Sequence, residues 1–515
     1  MVQKVESFVL GKWIGPGEGA RSIAHAITGD VIAEAGNDGL DYTGMIDYAI
    51  SKGGLALRSM SFHQRADMLK KLALHLNEQK EKLYEISFAT GATAMDHMVD
   101  VDGGIGTLFV YASKGKKELP DTDVIIDGER EQFGKTGVFL GQHVYTSKPG
   151  VAVHINAFNF PVWGMLEKIA PSLLAGIPSI VKPATVSCYV TETCVRLMNE
   201  SGVLPEGAVQ LVTGGLGNTL DLLTCQDIVT FTGSAETARH LRNSGSLMLN
   251  GVPFSSEQDS LNASILGPDA VPGTPEFDLF VKEVTREMTV KSGQKCTAIR
   301  RILTPQDQVA SVIEALSARL EKTSVGDPRV EGVRMGALVS QEQRKDVLAK
   351  AELISCEAEK VFGGQDGFSP IGADIEKGAF VAPTLYCCAD PDNATAVHET
   401  EAFGPVSTVM GYRDLNHAIA LANRGQGSLV ASVITHSPDV ARAVIVGSGP
   451  FHGRLYFNDR DSMSESTGHG APMPHMVHGG PGRAGGGEEL GGIRGVKHFM
   501  QRTAVQGGPA VLNTL

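Results

Sequence analysis

Residues 151–231 alternate short apolar runs with segments of helical periodicity, and this alternation constrains the fold more than any other feature of the chain. The expected strands are the apolar runs at 151–155, 179–181, 209–212 and 228–231. The expected helices lie between them, at 162–174 and 217–224. Strands that alternate with helices pair in parallel, because each helix carries the chain back across the sheet. The sequence therefore predicts an α/β fold with a parallel sheet.

Upstream of this region the pattern changes. Residues 8–13 and 31–33 are β-like runs around turn residues, which predicts a small N-terminal hairpin region. Residues 64–76 repeat apolar side chains at spacings of three and four, and 80–86 form a second amphipathic segment, so helices are expected there. With 515 residues and 42% hydrophobic content, the chain can bury more than one core. Two or three domains are expected.

Composition excludes several classes of protein. The net charge of −13 argues against nucleic acid as the main partner, because phosphate binding requires a basic surface. No apolar run approaches the ~20 residues that span a bilayer, and the N-terminus lacks the pattern of a signal peptide. Seven cysteines without paired spacing fit a reducing compartment, so a cytoplasmic location is expected. Fifteen histidines form no zinc-binding spacing, which predicts no structural metal.

Cys296 stands among small residues and beside Lys295, within the run Lys-Ser-Gly-Gln-Lys-Cys-Thr at 291–297. A nucleophilic cysteine reacts as the thiolate, so a cation, a helix start or a base must lower its pKa from about 8.5. The neighbouring lysine is the cation that the sequence offers. A lone cysteine is more often a small buried hydrophobic residue, so the surrounding motifs decide between the two interpretations.

The turn at 231–234, Phe-Thr-Gly-Ser, precedes a helix expected at 235–242. No GxGxxG opens a helix in this half of the chain, and no P-loop is present. A helix start offers free N–H groups and a positive dipole end to a phosphate, so Gly233 and Ser234 are candidates to approach a pyrophosphate. The alternative interpretation is an ordinary helix N-cap.

Six elements occur in one order along the chain. They are Asn-Ala-Phe-Asn-Phe-Pro at 156–161, Val-Lys-Pro-Ala at 181–184, Phe-Thr-Gly-Ser at 231–234, an acid at Glu257, the cysteine segment at 291–297 and Glu-Ala-Phe-Gly-Pro at 401–405. This order resembles the aldehyde dehydrogenase superfamily over nearly the whole chain. The resemblance implies a Rossmann-like cofactor domain, an α/β catalytic domain and a small β arm.

The resemblance also assigns the chemistry. Cys296 adds to an aldehyde carbonyl, and Asn159 stabilises the oxyanion together with the Cys296 backbone N–H. Glu257 occupies the position of the general base that hydrolyses the thioester. Glu167, in the helix after Pro161, is a second carboxylate that could lie near the entrance and relay a proton. Without the motifs, Asn159 would be a turn residue and Glu257 a surface carboxylate.

The expected cofactor contacts follow the same resemblance. Lys182 would meet the adenosine ribose, and Phe231 and Thr232 lead into the phosphate-binding turn. Members that prefer NAD commonly carry a glutamate three positions after this lysine, whereas this chain has Thr185. A carboxylate there would repel a 2′-phosphate, so the sequence favours NADP, with NAD as a weaker substitute.

Two further residues complete the expected cofactor site. Glu401 would hydrogen-bond the nicotinamide ribose, and Phe403 would pack on the ring. Simple core packing is the alternative interpretation of Phe403.

Two segments depart from ordinary members of the superfamily. The loop after Glu257, Gln-Asp-Ser-Leu-Asn at 258–262, is two residues shorter than the usual pattern. The segment at 465–489, with its dense glycines, is similar to enzymes that oxidise ring-opened coenzyme A semialdehydes in aerobic aromatic (benzoate) catabolism. A CoA-linked aldehyde is therefore the expected substrate. Glycine runs are otherwise usually flexible surface loops.

The resemblance divides the chain into three parts. Residues 1–124 and 148–259 would form the cofactor-binding domain, 260–465 the catalytic domain, and 125–147 with 490–515 an oligomerisation arm. Strands at 124–126, 138–140 and 496–508 would build that arm. Such edges need partners, so a homodimer or a homotetramer is expected.

Four other functions are weighed against this one. A general aliphatic aldehyde dehydrogenase would share the site, whereas a non-catalytic relative would have no reason to keep Cys296, Glu257 and Asn159 together. A CoA-acylating dehydrogenase would not need the base. A thiol hydrolase or acyltransferase would normally need a histidine partner for the cysteine, and no histidine is close in sequence.

Overall fold

The computed structural model describes residues 2–515, in which two seven-stranded sheets are accompanied by three smaller ones. Within these residues, no helix combines the length and apolar character needed to cross a membrane. The strands are β1 Gln3–Lys4, β2 Ser7–Val9, β3 Lys12–Ile14, β4 Arg21–Ala24, β5 Val31–Ala35, β6 Val124–Gln132, β7 Leu140–Ser147, β8 Ala152–Ile155, β9 Ser179–Lys182, β10 Val209–Leu211, β11 Ile228–Thr232, β12 Phe254–Glu257, β13 Asn262–Leu266, β14 Ile299–Pro305, β15 Glu359–Gly363, β16 Thr384–Cys388, β17 Val406–Tyr412, β18 Ser428–Ile434, β19 His452–Asn458, β20 Val477–Gly479, β21 Glu488–Leu490 and β22 Met500–Gly507.

Helices connect most of these strands. The α-helices are α1 Tyr42–Tyr48, α2 Leu55–Arg58, α3 Phe62–Ser87, α4 Ala94–His97, α5 Gly103–Glu118, α6 Trp163–Ala175, α7 Cys188–Glu200, α8 Ala235–Arg242, α9 Gly245–Leu249, α10 Pro275–Thr289, α11 Val309–Leu320, α12 Gln341–Ser355, α13 Ala396–Glu399, α14 Leu415–Asn423, α15 Pro438–Ser448, α16 Ile493–His498 and α17 Pro509–Leu512. Short π-helical turns lie at Ala49–Gly54 and Met98–Asp102, and 3-10 turns at Phe88–Thr90, Thr185–Ser187, Thr219–Leu222, Val290–Gly293, Gln306–Gln308, Gly449–Phe451 and Gly482–Ala484.

The first large sheet has the order β12-β11-β8-β9-β10-β2-β3. Its first five strands are parallel, and the N-terminal hairpin β2–β3 adds antiparallel strands at one edge. Successive residues of a strand face opposite sides, so Val181 packs with helices α3, α5, α6 and α7, whereas Ile180 packs on the other face. Burial on both faces explains the continuous apolar runs in the sequence. The predicted parallel α/β sheet is confirmed.

The second large sheet has the order β15-β16-β17-β14-β13-β18-β19 and is parallel except for β15. Separate apolar clusters cover its two faces. A three-stranded antiparallel sheet, β22-β7-β6, lies apart from both. It contains most of the segments expected to form an arm, but Val138 and Phe139 lie just before β7, and residues 496–498 of the expected last strand belong to α16.

Two helix predictions need correction. Residues 64–76 and 80–86 belong to the single helix α3, which begins at a capping box formed by Ser61 and Gln64. Residues 217–224 do not form an α-helix and contain only the 3-10 turn Thr219–Leu222. Gly217 has a φ of +52° beside the Tyr42 ring, and Leu223 is extended, so both ends of this segment leave helical geometry.

The glycine-rich C-terminal segment is tightly packed, contrary to the usual behaviour of glycine runs. β20 and β21 form an antiparallel hairpin whose intervening chain crosses β12. Gln258 N donates to Ala484 O at 3.1 Å, and Gly487 N donates to Ser256 O at 3.2 Å. Gly485 has a φ of +106°, and a Cβ there would overlap the Ser256 carbonyl. Glycine lets two backbones approach closely at this crossing.

Replacement of Gly485 by alanine should therefore destabilise the protein more than replacement of its neighbour Gly486. Gly486 also has a positive φ, of +75°, but no heavy atom lies within 4 Å of the position that a Cβ would take there. We expect Gly486→Ala to lower the free energy of unfolding by about 1–2 kcal/mol through backbone strain alone. Gly485→Ala should lower the free energy of unfolding further, because the Ser256 carbonyl must also move. Thermal unfolding midpoints of the two variants test this, and equal midpoints would contradict the close crossing.

Candidate active site

Four parallel strands of the first sheet end side by side. β12 ends at Glu257, β11 at Thr232, β8 shortly before Asn159, and β9 at Lys182. The carboxyl ends of parallel strands meet at one edge, which is where open α/β sheets bind ligands. The topology therefore brings together residues that are as distant in sequence as Asn159 and Glu257.

The backbone before Cys296 adopts an uncommon conformation. Lys291, Ser292 and Gly293 have φ values of +53°, +54° and +69°. The left-handed region costs a residue with a Cβ about 1–2 kcal/mol, so two such residues in succession require strong support. Backbone strain of this kind is typical of functional sites, where the surrounding structure enforces it.

Hydrogen bonds from several parts of the chain hold this segment. Three of them fix the backbone, from Lys291 N to Asp96 Oδ1 at 2.6 Å, from Arg300 Nη2 to Gly293 O at 2.8 Å and from Asn159 Nδ2 to Gln294 O at 3.0 Å. Two involve its side chains, from Ser292 Oγ to Gly336 O at 2.8 Å and from Val339 N to Gln294 Oε1 at 3.0 Å. Asn262 Nδ2 donates to Cys296 O at 2.8 Å. Cys296 is thus fixed from both large sheets.

The expectation that a lysine lowers the Cys296 pKa is wrong. Lys295 Nζ pairs with Glu287 Oε2 at 2.7 Å, and Lys291 Nζ donates to Thr90 Oγ1 at 3.1 Å, so both ammonium groups have other partners. Burial and the nearby Glu257 carboxylate raise the pKa of the Cys296 thiol well above its usual range. The thiol therefore rests in its protonated form beside a base.

The candidate base is Glu257, whose carboxylate has an oxygen within 4.8 Å of Cys296 Sγ. Burial raises the pKa of the Glu257 carboxyl, but the neighbouring His478 and Lys168 side chains outweigh burial and hold the pKa at about 2. Glu257 is 3% exposed, so this is not the surface carboxylate of the alternative interpretation. An ionised carboxylate in contact with a protonated thiol is suited to accept its proton.

His478 is a site residue that the sequence did not indicate. Its Nε2 lies 3.0 Å from Glu257 Oε2, and its ring meets the Trp163 ring edge-on at a centroid distance of 6.5 Å. In the sequence, His478 is only one residue of the glycine-rich segment, and nothing there indicates its role. The thiol hydrolase alternative needs a histidine near the cysteine, and the sequence shows none close by. In the fold, His478 approaches Cys296 and contacts Glu257.

Glu167 is buried among charges. Lys168 Nζ lies 3.1 Å from Glu167 Oε1 and 2.7 Å from Glu489 Oε2, and all three side chains are at most 7% exposed. Burial raises the pKa of Glu167 well above its usual range, and the neighbouring Glu489 and Glu257 raise it further. Glu167 lines a cavity of about 360 Å³ whose wall does not include Cys296, so it does not lie at the cysteine's entrance.

Glu401 and Phe403 lie against the segment that carries Cys296. Ser260 N donates to Glu401 Oε2 at 3.1 Å, and Arg300 Nε lies 3.7 Å from Glu401 Oε1. Burial raises the pKa of Glu401 to about 7. The Arg300 guanidinium lies 5.5 Å from the Phe403 ring centroid, and the Phe158 ring meets Phe403 edge-on.

The turn at 231–234 joins the base to the start of α8. Phe231 and Thr232 end β11, and Gly233 N donates to Glu257 O at 3.2 Å. Ser234 caps α8, because its Oγ accepts from Thr237 N at 3.3 Å. The side chain thus has the ordinary capping role, while the turn remains next to Glu257.

Lys182 and Thr185 lie at the same edge of the sheet. Lys182 ends β9, and burial lowers the pKa of its ammonium group. Thr185 opens the 3-10 turn Thr185–Ser187 that leads into α7. A cation and a hydroxyl therefore lie three positions apart where the strand ends.

Several buried polar atoms at this edge lack protein partners. Within residues 2–515, no hydrogen bond is made by either side-chain amide atom of Asn156, by Thr232 Oγ1 or by Glu401 Oε1. Buried polar groups are normally paired, so such a group of atoms fits a polar ligand. Together with Lys182 and the start of α8, the donor and acceptor set suits a dinucleotide.

A separate cavity of about 340 Å³ reaches Cys296. Its wall is mostly apolar and includes Phe160, Trp163 and the run from Gly470 to Pro474. Arg286, an exposed residue in the last turn of α10, also lines it. The cavity can hold a small carbonyl compound beside the thiol, with a cation at its wall.

The chain belongs to the aldehyde dehydrogenase family, whose model matches residues 13–505. It is therefore an oxidoreductase that acts on aldehydes. It is 44% identical over 480 residues to 3,4-dehydroadipyl-CoA semialdehyde dehydrogenase of Aromatoleum evansii, covering 93% of each chain. It is also 53% identical over 182 residues to Protein MaoC of Klebsiella aerogenes, covering 35% of this chain and 52% of that one.

Solved structures share the fold. Betaine aldehyde dehydrogenase from Staphylococcus aureus, solved as a point mutant in complex with NAD+, superposes with a TM-score of 0.83 at 23% identity, covering 98% of this chain and 97% of that one. Aldehyde dehydrogenase C from Pseudomonas syringae, solved as a mutant with NAD+ and octanal, gives a TM-score of 0.82 at 21% identity, covering 98% and 96%. The predicted aldehyde dehydrogenase fold is confirmed.

Proposed function

We propose that this enzyme oxidises a CoA-linked semialdehyde of the 3,4-dehydroadipyl-CoA semialdehyde type to the carboxylic acid, with NADP, in aerobic benzoate catabolism. The observation that carries the proposal is the contact between an ionised Glu257 and the Cys296 thiol beside a mostly apolar cavity. The 44% identity to an enzyme named for that substrate supports the choice of substrate.

The first step is formation of a thiohemiacetal. Glu257 accepts the thiol proton, Cys296 Sγ attacks the carbonyl carbon, and the carbonyl electron pair moves to oxygen. One amide N–H of Asn159 is bound to Gln294 O, which leaves the other free to meet this oxyanion together with the Cys296 N–H. Loss of such a donor typically costs about 10²–10³ in kcat.

The second step leaves a thioester. NADP, held by Lys182, the turn at 231–234 and Glu401, would supply the hydride acceptor for this oxidation. After the thiol proton has passed from Glu257 to solvent, Glu257 takes a proton from water and the resulting hydroxide attacks the acyl carbon. Cys296 leaves as a thiolate and regains this proton from Glu257. Retention of this base favours hydrolysis over acyl transfer to a thiol. The buried Glu167–Lys168–Glu489 group lies within electrostatic reach of Glu257 and is proposed to relay the proton outward.

NADP is proposed as the preferred cofactor because Thr185 replaces a carboxylate near Lys182. The turn at 231–234 would approach the pyrophosphate, and Glu401 would hold the nicotinamide ribose with Phe403 beside the ring. The unpaired Glu401 Oε1 supports this assignment. No residue in this set carries a negative charge opposite the expected 2′-phosphate, which would allow NADP to bind.

The domain division and the assembly are also proposals. The edge strand β6 and its turn expose apolar side chains, with Ile126 45%, Phe133 45% and Val138 67% exposed. Such an edge is usually covered by another chain, so the β22-β7-β6 sheet is proposed to join subunits in a homodimer or homotetramer. A cytoplasmic location agrees with the seven free cysteines of residues 2–515.

Cys296→Ala should abolish turnover, and Glu257→Gln should separate the two steps. Without the base, solvent must take the thiol proton, so hydride transfer should be slower but can still occur once, whereas hydrolysis should slow by about 10²–10⁴. Rapid mixing should then show at most one reduced cofactor per site, followed by a stalled thioester that mass spectrometry detects. Glu78→Gln, at an exposed position of α3, is the control. Unchanged steady-state turnover of Glu257→Gln would remove Glu257 from the mechanism.

Thr185→Glu should weaken NADP more than NAD. The new carboxylate would repel the 2′-phosphate, and we expect the NADP dissociation constant to rise at least tenfold, which is about 1.4 kcal/mol. Thr185→Gln has nearly the same size without the charge and should change the ratio little. Fluorescence titration with each cofactor measures the constants. An equal loss for NADP and NAD would show that Thr185 does not meet the 2′-phosphate.

A CoA-linked semialdehyde should have a much higher kcat/KM than a free aldehyde of the same chain length, because remote contacts help to position the reacting carbon. Arg286 at the cavity wall is the candidate cation for the CoA phosphates. Arg286→Ala should raise KM for the CoA substrate and leave the free aldehyde unaffected. Arg319→Ala, on exposed α11, is the control. Comparable kcat/KM for both substrates would favour a general aliphatic aldehyde dehydrogenase.

A further inference from the structure

Three potential metal ligands converge at the active site from distant parts of the chain. One ligand atom each from Glu257, Cys296 and His478 lies within 4.8 Å of the other two. The side chains come from the end of β12, the segment before β14 and strand β20. Sequence spacing could not reveal this set, because its members are tens to hundreds of residues apart.

His478 has a feature that its packing does not explain. The residue is 1% exposed, yet among residues 2–515 neither ring nitrogen makes a hydrogen bond of good geometry. Contact with Trp163 accounts for burial of the ring but not for Nδ1, which has no polar partner in the described part of the chain. Nε2 faces the Glu257 carboxylate at 3.0 Å. A buried imidazole aimed into a site that also holds a thiol and a carboxylate points to a ligand shared by all three.

We propose that Cys296, Glu257 and His478 form a reversible Zn²⁺ site that blocks the nucleophile. Thiolate, imidazole and carboxylate are the three donor types that zinc takes in proteins, and a site with three protein ligands keeps a fourth position open. Cys296 lines the substrate cavity, so the fourth position faces space that water can occupy. On binding, the thiol proton is released to solvent and a zinc–sulfur bond forms, with no change of oxidation state.

The fold favours metal binding at these three atoms. Glu257 lies on a strand held by the glycine-rich crossing, and hydrogen bonds fix the backbone on both sides of Cys296. Little conformational freedom is lost when such ligands bind an ion. The buried Lys168 ammonium opposes a second positive charge near Glu257, so the site should bind zinc reversibly rather than permanently.

A second cluster provides an internal comparison. His436, Asp459 and Asp461 also converge, but their side chains are 45%, 25% and 76% exposed. This cluster contains no thiol, and exposed oxygen ligands suit harder cations better than zinc. A metal bound there would lie away from Cys296 and should not block aldehyde oxidation.

Cobalt(II) is the probe for the site, because its thiolate complexes absorb in the near ultraviolet through charge transfer. The full chain, freed of metals with a chelator, is titrated with cobalt(II) and then with zinc(II) in competition. We expect a thiolate-to-cobalt band that zinc removes. Cys296→Ser should abolish the band, and His478→Gln should raise the metal dissociation constant tenfold or more. His436→Gln should leave both unchanged.

Activity gives the second measurement. Zinc should inhibit NADP reduction competitively with the aldehyde, and a chelator should reverse the inhibition. His478→Gln should be at least tenfold less sensitive to zinc, with each rate compared to that variant's own metal-free rate. Thermal midpoints confirm that each variant is folded, and Cys296→Ala provides a second thiol-free variant. A band that persists in both Cys296 variants, or zinc sensitivity unchanged in His478→Gln, would overturn the inference.

The prediction that zinc inhibits aldehyde oxidation rests on the proposed function, whereas the prediction that the site binds metal does not. If the wild-type chain shows the Cys296-dependent cobalt band and yet oxidises no aldehyde, the metal site stands and the proposed function fails. If it oxidises the aldehyde but binds cobalt independently of Cys296, the proposed function stands and the metal site fails.

Discussion

The left-handed backbone at residues 291–293 is the constraint on which the active site depends. This conformation is costly for Lys291 and Ser292, and it persists because both sheets and the helical region around Asp96 hold it. A Cβ at Gly293 would overlap the backbone at Gly404, so the segment also packs directly against the Glu-Ala-Phe-Gly-Pro motif. Cys296 therefore reaches its position only when the two large sheets are packed together.

The same packing determines the protonation states. In a buried site, charges interact more strongly than in water, and every carboxylate needs a nearby cation. Lys168 lies near Glu167, Glu489 and Glu257 at once, and together with His478, whose effect is larger, it keeps Glu257 ionised although that residue is buried. For the thiol, burial and Glu257 outweigh the nearby Arg300 and Arg454, so the pKa of Cys296 stays raised. The site thus holds an ionised carboxylate and a protonated thiol within 4.8 Å of each other, which is the arrangement that the proposed mechanism uses.

Much of the fold and part of the candidate site could be predicted from the sequence, and the predictions that were wrong have physical causes. Strand and helix order indicated the parallel sheet, because apolar periodicity reports burial directly. Ordered motifs identified Cys296 and Glu257, and the structure brings the two side chains together. The role expected of Lys295 was wrong, because adjacency in sequence does not show where a side chain points. His478 was missed for the converse reason, since only the fold brings β20 to β12.

The segment at 465–490 couples substrate recognition to the chemistry. Thr467 and the run from Gly470 to Pro474 line the substrate cavity, His478 faces the base, and Glu489 pairs with Lys168. The glycine-rich crossing fixes this whole segment against β12, which ends at Glu257. A substitution that reshapes the cavity for another aldehyde would therefore also move groups that set the charge of Glu257. The same segment therefore lines the cavity at Cys296 and contacts Glu257 and Lys168, so under the proposed function a change in its shape would alter both environments.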